Sequence, residues 1–531
     1  MPQKLLRYAP LAILPGIGFA GWQFAVPETH SFYLGCILWW ITPITTFLWF
    51  VGGDHFLARS RTSLLTIIIP TVYLCMVDTI ALKAGTWHIT ERTSTGIFIW
   101  KDLPLEEGVF FLVTNTLLVC GMSAFERSFA VIDVFGDLLA SRSRSSSSSD
   151  SSQTVHPNRL TMFEYIQFLA RSLVLRVDSL PPSYQARIPA FDKTQQVLAV
   201  HSRSFHTASY IFPSAVRRDL VILYAFCRVL DDFCDESASK EEARSLISMS
   251  RDWLDLLYPS PLSRKERAAG PPPEDCVSAP SAYSISAFLH KRVPIEAQPA
   301  FFLLSTISSR IPRYPFDDLI AGYEWDLDAS NHPIVTEADL VEYSRLVASS
   351  VAEMCVWAMW ANEGLLVDEE EREQILDRAA RMGVTLQITN IARDIRDDSA
   401  KGRIYIPQEW FKDSLSSDKI KRLQDQESLV KAGLTKQPPS ASEFRYPTYI
   451  RQLLDLAKTY ESGTSEAIRK LPHSCQAGIR AATRVYIGIG AEIEKQAFLN
   501  GQPNLQYQGD RVSLSKWQRI AIALKEVYAR R

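Results

Sequence analysis

Four apolar stretches crowd the first 140 residues, at about 9–26, 32–52, 64–82 and 109–125, each near the length that crosses a bilayer. In hydrocarbon every backbone N–H and C=O must be satisfied within the protein, so stretches of this kind are expected to be helices. A cleaved signal peptide fits poorly, because three more spans follow the first. Lys4 and Arg7 precede the first span, Arg59 and Arg61 follow the second, and Arg127, Arg142 and Arg144 follow the fourth. The bias of positive charge towards cytoplasmic loops then puts both ends of the region in the cytosol, with Lys83, Arg92 and Lys101 diluting the pattern.

Polar groups inside this apolar region need a reason. Asp78 falls within the third span, where an ionisable group marks either a function or a hydrogen-bonded packing position. Glu106 and Glu107 follow Pro104 at the start of the fourth. One acidic residue there complements the helix dipole. A second beside an apolar wall is a candidate proton donor.

Residues 1–140 therefore read as a membrane domain. Residues 141–158 are a serine-rich linker, and 159–531 form a second domain, since 531 residues exceed what one core holds. A formal charge of −2 argues against nucleic acid as a partner. The eight cysteines show no metal-binding or disulfide spacing.

Beyond the linker the pattern is helical almost throughout, with periodic runs at 160–177, 191–212, 214–234, 240–258, 283–292, 296–309, 338–362, 369–395, 447–470 and 475–499. Proline- and serine-rich or charged inserts interrupt it at 259–284 and 412–446. The fold class is all-α: multi-pass transmembrane helices followed by a helical domain. No phosphate-binding glycine loop, dinucleotide fingerprint, zinc signature or nucleophile elbow occurs.

Two acidic clusters stand out. YAFCRVLDDFCDE at 224–236 sets Asp231, Asp232 and Asp235 close together on a helix, and TNIARDIRDD at 389–398 does the same with Asp394, Asp397 and Asp398. One such cluster alone is most simply a solvated face. Both, however, finish apolar runs, and carboxylates packed this tightly repel unless a cation sits among them. Mg²⁺, a hard ion that shares carboxylates with substrate phosphates, suits them. Ser202 and Ser204 in HSRSF, Arg228, and Lys401 and Arg403 in KGRIYIP could complete a diphosphate site.

HSRSF, YAFCRVLDDFCDE, EYSRLVASSVAE at 342–353 and QITNIARDIRDDSAKGRIYIP at 387–407 stand in the order and spacing of a known family. Residues 195–499 resemble the phytoene/squalene synthases, head-to-head prenyltransferases with an all-α isoprenoid synthase fold. The resemblance implies that Asp231, Asp235, Asn390, Asp394 and Asp398 hold Mg²⁺, for which Mn²⁺ could substitute. It implies that Arg228, Lys401 and Arg403 grip diphosphate, that Ser202 and Ser204 belong to a flap, and that Tyr343, Gln387 and Asn390 line the reaction centre. Asp326 in GYEWDL is a looser fit to the family's pattern.

GTWHI at 85–89 and DLPLEEGVFFLVTNTLLV at 102–119 resemble the heterodimer-type lycopene cyclase repeat, with Glu106 and Glu107 as acid and base. Cyclase, linker and synthase in that order is the arrangement of the fungal bifunctional family. That family carries two cyclase repeats and one is visible here, which implies either an N-terminal truncation or a missing cyclase half that comes from elsewhere; the expected protein partner is that half or a second copy in a homo-oligomer.

The implied activity is condensation of two geranylgeranyl diphosphates to phytoene through prephytoene diphosphate, without NADPH. Cyclisation of lycopene or a related carotenoid would accompany it. The implied setting is a lipid bilayer, with the synthase domain on its cytosolic side. The alternatives are a squalene-type synthase using farnesyl diphosphate and NADPH, and a non-catalytic membrane scaffold.

Overall fold

The computed structural model describes residues 2–100, 102–144, 166–167, 170–173, 175, 180–258, 280–329, 332–363, 367–412, 446–504, 507, 509 and 511–528. Most of the serine-rich linker and of both inserts lies outside the described residues. The chain forms two compact units, residues 1–155 with 160–180, and residues 156–159 with 181–531. Both are helical, and the described strands amount to two short hairpins, β1 (Phe98–Trp100) with β2 (Leu103–Pro104) and β3 (Phe498–Leu499) with β4 (Gln502–Pro503).

The first unit consists of α1 (Pro2–Phe24), α2 (Phe32–Ala58), α3 (Ser60–Lys83) and α4 (Leu105–Arg144). Helix α2 packs against both α1 and α4, and α3 against α4. Gly52 permits the close approach of α2 and α4, because a Cβ there would lie 2.5 Å from the Ala124 nitrogen. Among the described residues, three helices are long and apolar enough to cross a membrane: α2, α3 and the Leu105–Ile132 part of α4. The sequence predicts four such spans. Helix α1 forms, but Lys4, Arg7 and Gln23 with Pro10 and Pro15 dilute its apolar run below that of the others. Leu65, Ile68, Ile69 and Val72 of α3 point outward, as lipid-facing residues do. At one end of the bundle Arg7 pairs with Asp54 at 2.8 Å, and His55 meets Glu126 at 2.7 Å.

The second unit contains α5 (Arg187–His201), α6 (Arg203–Ser209), α7 (Ser214–Asp235), α8 (Lys240–Leu257), α9 (Ala282–Arg292), α10 (Gln298–Ser305), α11 (Tyr314–Leu327), α12 (Glu337–Ser344), α13 (Ser350–Glu363), α14 (Glu369–Ala400), α15 (Tyr446–Glu461), α16 (Thr464–Lys470), α17 (His473–Ala497) and α18 (Lys516–Tyr528). Local signals start several of them. Asp368 caps α14 by accepting from the Glu371 N–H at 2.8 Å, and Thr336 with Asp339 forms a reciprocal capping box on α12.

Among the described residues, two apolar cores hold the unit. In one, Phe226 of α7 meets Phe301 at 5.2 Å and Phe316 at 5.9 Å between ring centres. The other gathers Leu340, Ile388, Ile391, Tyr449, Leu453 and Ile489. Helix α14 contributes to both, with Ile375 and Leu376 in the first and Ile388 and Ile391 in the second. Between α12 and α13 the chain makes a π-helical turn, Arg345–Ser349. Gly383 of α14 sits directly against it, with only 2.6 Å from a hypothetical Cβ to the Ser349 Cα. That contact needs glycine.

Candidate active site

Helix α7 carries two kinds of chemistry on one face. Leu220, Tyr224 and Cys227 line a cavity of about 360 Å³, and Asp231 and Asp235 continue the same face by one and two further turns. Helix α14 is built alike: Ala379, Met382, Gln387 and Asn390 line that cavity, and Asp394 and Asp398 follow. Both walls thus pass from apolar to acidic towards their C-terminal ends. The π turn adds Val347 and Ala348 to the lining, and α6 adds Phe205. At its far end the cavity shares Ile375, Arg378 and Ala467 with a polar depression containing Glu373, Asp377, Glu466 and Lys470.

Cations tie the two acidic ends together. Lys401 and Arg403, just past α14, reach Asp235 of α7 at 3.1 and 2.5 Å. Burial pushes the Asp235 carboxyl up, but these two partners outweigh it and hold the group below the usual carboxylate range. Arg228 pairs with Asp231 at 2.6 Å and with Asp232, so here it serves as an intrahelical partner. Asp231 itself is raised by burial and by Asp235. Arg393 grips Asp394 through two hydrogen bonds, and Arg511 approaches the same carboxylate at 3.2 Å. Nothing in the local sequence marked Arg511, which comes from far along the chain.

Asp398 makes no ion pair among the described residues. Burial, reinforced by Asp394, raises its carboxyl to about 7. The Asn390 Oδ1 atom is buried without a hydrogen-bond partner. Among the described residues no three of these side chains are close enough to form a ready-made metal cage. The donor set is nonetheless all oxygen, and the unpartnered Asn390 oxygen with the buried Asp398, whose rise Arg403 and Lys401 only partly offset, suits a hard divalent ion such as Mg²⁺.

The structure adds a feature that the motifs did not assign. Asp326 of α11 accepts hydrogen bonds from Tyr343 and Tyr405, each at 2.9 Å, and the two phenol rings stack at 5.0 Å. Burial lifts Asp326 to about 6, against the pull of Arg403. Tyr343 is therefore a clamped, buried residue and does not itself line the cavity. Ser202 lines the cavity wall, whereas the side chain of Ser204 lies outside the described residues.

The first unit has its own polar cluster at the end where α3 finishes and α4 begins. Glu106 is fully buried, and its Oε1 accepts from the Thr95 N–H at 2.6 Å and the Ser94 hydroxyl at 3.2 Å. Glu107 accepts from the Tyr33 hydroxyl at 2.8 Å. The Trp87 indole donates to Asp78 at 3.1 Å. Asp78 Oδ2 and Glu106 Oε2 are buried and have no hydrogen-bond partner.

Residues 198–518 match the squalene/phytoene synthase family. A bifunctional lycopene cyclase/phytoene synthase of Blakeslea trispora is 34% identical over 534 residues, spanning 99% of this chain and 77% of that protein. The protein of the same description from Phaffia rhodozyma is 33% identical, over 94% of this chain and 77% of its own length. Among solved structures, a dehydrosqualene synthase in complex with ligand is 19% identical with a TM-score of 0.44, covering 65% of this chain and 98% of that one.

Proposed function

This chain belongs to the squalene/phytoene synthase family, in the form whose fungal members are named bifunctional lycopene cyclase/phytoene synthases, and from that premise we propose that its second unit condenses two geranylgeranyl diphosphates into phytoene. Carotenoid biosynthesis is the setting that membership establishes. One observation carries the finer reading: two helices wall a single apolar cavity and both turn acidic at the end where Lys401 and Arg403 join them.

On this reading the prenyl chains lie in the cavity with their diphosphates among the aspartates. Asp231, Asp235, Asn390, Asp394 and Asp398 would hold Mg²⁺, with Mn²⁺ as a substitute, and the ion would supply Lewis-acid charge to the leaving diphosphates. Arg228, Lys401 and Arg403 exchange their carboxylate partners for diphosphate oxygens as charge develops there. The first C1–O bond breaks, the allylic cation adds to the second substrate's double bond, and a proton leaves to give a cyclopropyl diphosphate. Loss of the second diphosphate, rearrangement and loss of a second proton give the C40 product. The balance is two substrates to one hydrocarbon and two diphosphates, with no reductant. Phe205, Tyr224 and Tyr486 in the wall exclude water and offer aromatic faces to the cations. The clamp of Tyr343, Asp326 and Tyr405 holds the segment that carries Arg403.

For the first unit we infer cyclisation of lycopene ends, with Glu106 and Glu107 as the candidate acid and base, and a bilayer setting in which the second unit faces the cytosol. The test uses the full chain, purified with lipid, and labelled C20 or C15 diphosphate with Mg²⁺, each with and without NADPH. Phytoene without NADPH is the expected product. Product formed only from C15 diphosphate with NADPH would establish the squalene-type alternative.

A further inference from the structure

Helix α18 is inside out. Its charged Glu526 is buried, at 8% side-chain exposure, and held by Arg480 at 3.2 Å and Arg484 at 3.9 Å. Ile522 packs into the core beside it. The opposite face is apolar and open: Trp517 is 77% exposed, Leu524 52% and Tyr528 74%. With the exposed Ala521 these residues fall at i, i+4, i+7 and i+11, one continuous stripe. A helix normally turns such a stripe inward. Here the ion pairs on Glu526 fix the opposite rotation, so the exposure is built in.

Four features of the molecule point to what covers the stripe. Lys516 and Lys525 are exposed on either side of it, and neither has an ion-pair partner among the described residues. Trp517 and Tyr528 stand at its two ends, and these amphipathic rings are the residues that settle at a membrane–water boundary. The stripe is also too small for a second protein. At roughly 20 Å by 10 Å it offers about 200 Å², against about 800 Å² per partner in a stable interface. Among its described residues the same chain carries three helices long and apolar enough to cross a bilayer, so a lipid surface is covalently at hand.

We propose that α18 is an interfacial helix by which the second unit docks on an anionic bilayer surface. Helix α18 packs on α17 and on α6, the short helix that places Phe205 in the cavity wall. Val200 and Tyr210, which bracket α6 in the sequence, are exposed as well. Docking through α18 therefore brings one wall of the cavity to the lipid, where long apolar chains can pass with little contact with water. This surface is independent of which prenyl diphosphate the cavity takes.

The test is hydrogen exchange, read by mass spectrometry, on the full chain in nanodiscs of phosphatidylcholine with and without phosphatidylserine. Amides of 516–528 are expected to exchange roughly tenfold more slowly in the anionic discs. Lys516→Gln with Lys525→Gln should bring that exchange to the level of the neutral discs. Trp517→Ser with Leu524→Ser should abolish the protection while α17, at 473–497, keeps its own slow exchange, which shows that the variant is folded. Equal exchange in the two kinds of disc overturns the proposal. So does protection seen only when a disc holds two chains, because the cover would then be protein.

Discussion

Single residues at the site differ in how they are held, and that sets what each substitution should do. Asp231→Asn and Asp398→Asn replace carboxylates on opposite walls with neutral amides, and each should lower phytoene formation by 10²-fold or more while leaving the thermal midpoint near that of the parent, measured by product assay and calorimetry. Asp326 acts through its two tyrosines. Asp326→Asn keeps the shape but weakens both hydrogen bonds, so turnover should fall by roughly 10²-fold with little change in apparent KM. A change confined to KM would place Asp326 in ground-state binding.

Asp219 is a different case, buried away from the cavity with Arg218 at 2.8 Å and Arg310 at 2.9 Å. Burial alone would raise it, but the two arginines and Asn362 outweigh that and hold it below the usual range. Its contribution to stability is therefore present above the unfolded carboxyl value and disappears as pH falls through the lower folded value. Asp219→Ala should cost about 3–5 kcal/mol, because two arginines lose a buried partner. The variant's stability, followed by denaturant titration, should vary less below about pH 4 than the parent's.

At the scale of elements, helix type was legible and helix joints were not. The apolar runs at 214–234 and 369–395 correspond to α7 and α14, because burial of one face imposes the 3.6-residue period on the sequence. The run at 191–212 is broken at Ser202 into α5 and α6, and that at 447–470 at Gly463, whose φ of +81° ends a helix that periodicity would continue. Helix α11, opening on Tyr314-Pro315, has no counterpart among the periodic runs of the sequence, although it supplies Asp326. The π turn is invisible to any periodic pattern, since it differs from the α-helix by one hydrogen-bond register and is stabilised by the Gly383 contact from another helix.

Cavity shape belongs to this scale too. Ala467 sits where the cavity meets the polar depression, so Ala467→Phe should shorten the apolar channel. The ratio of C20 to C15 turnover should then fall by roughly tenfold or more, as removing room for a few methylenes does. An unchanged ratio would mean that the chains end short of Ala467.

The two units make separable claims at the scale of the whole molecule. In a bacterium that accumulates geranylgeranyl diphosphate, Asp231→Asn should abolish phytoene, while Glu106→Gln should not. In one that accumulates lycopene, the effects should reverse if the first unit cyclises it, and pigment analysis reads both outcomes. Chelation of divalent ions should silence the first reaction in extracts and leave the second, for which proton transfer is the proposed chemistry.

What the residues declared unaided was composition-driven: apolar spans of bilayer length, helical periodicity, and two acidic clusters ending apolar runs. Those signals are local, and a chain must carry them to bury one face and satisfy its backbone. Convergence was not local. That Lys401 and Arg403 reach Asp235, that Arg511 reaches Asp394, and that Asp326 locks Tyr343 to Tyr405 depends on helix packing between residues far apart in sequence. The rotation of α18 was decided the same way, because its buried Glu526 answers to two arginines on α17 and not to its own hydrophobic stripe.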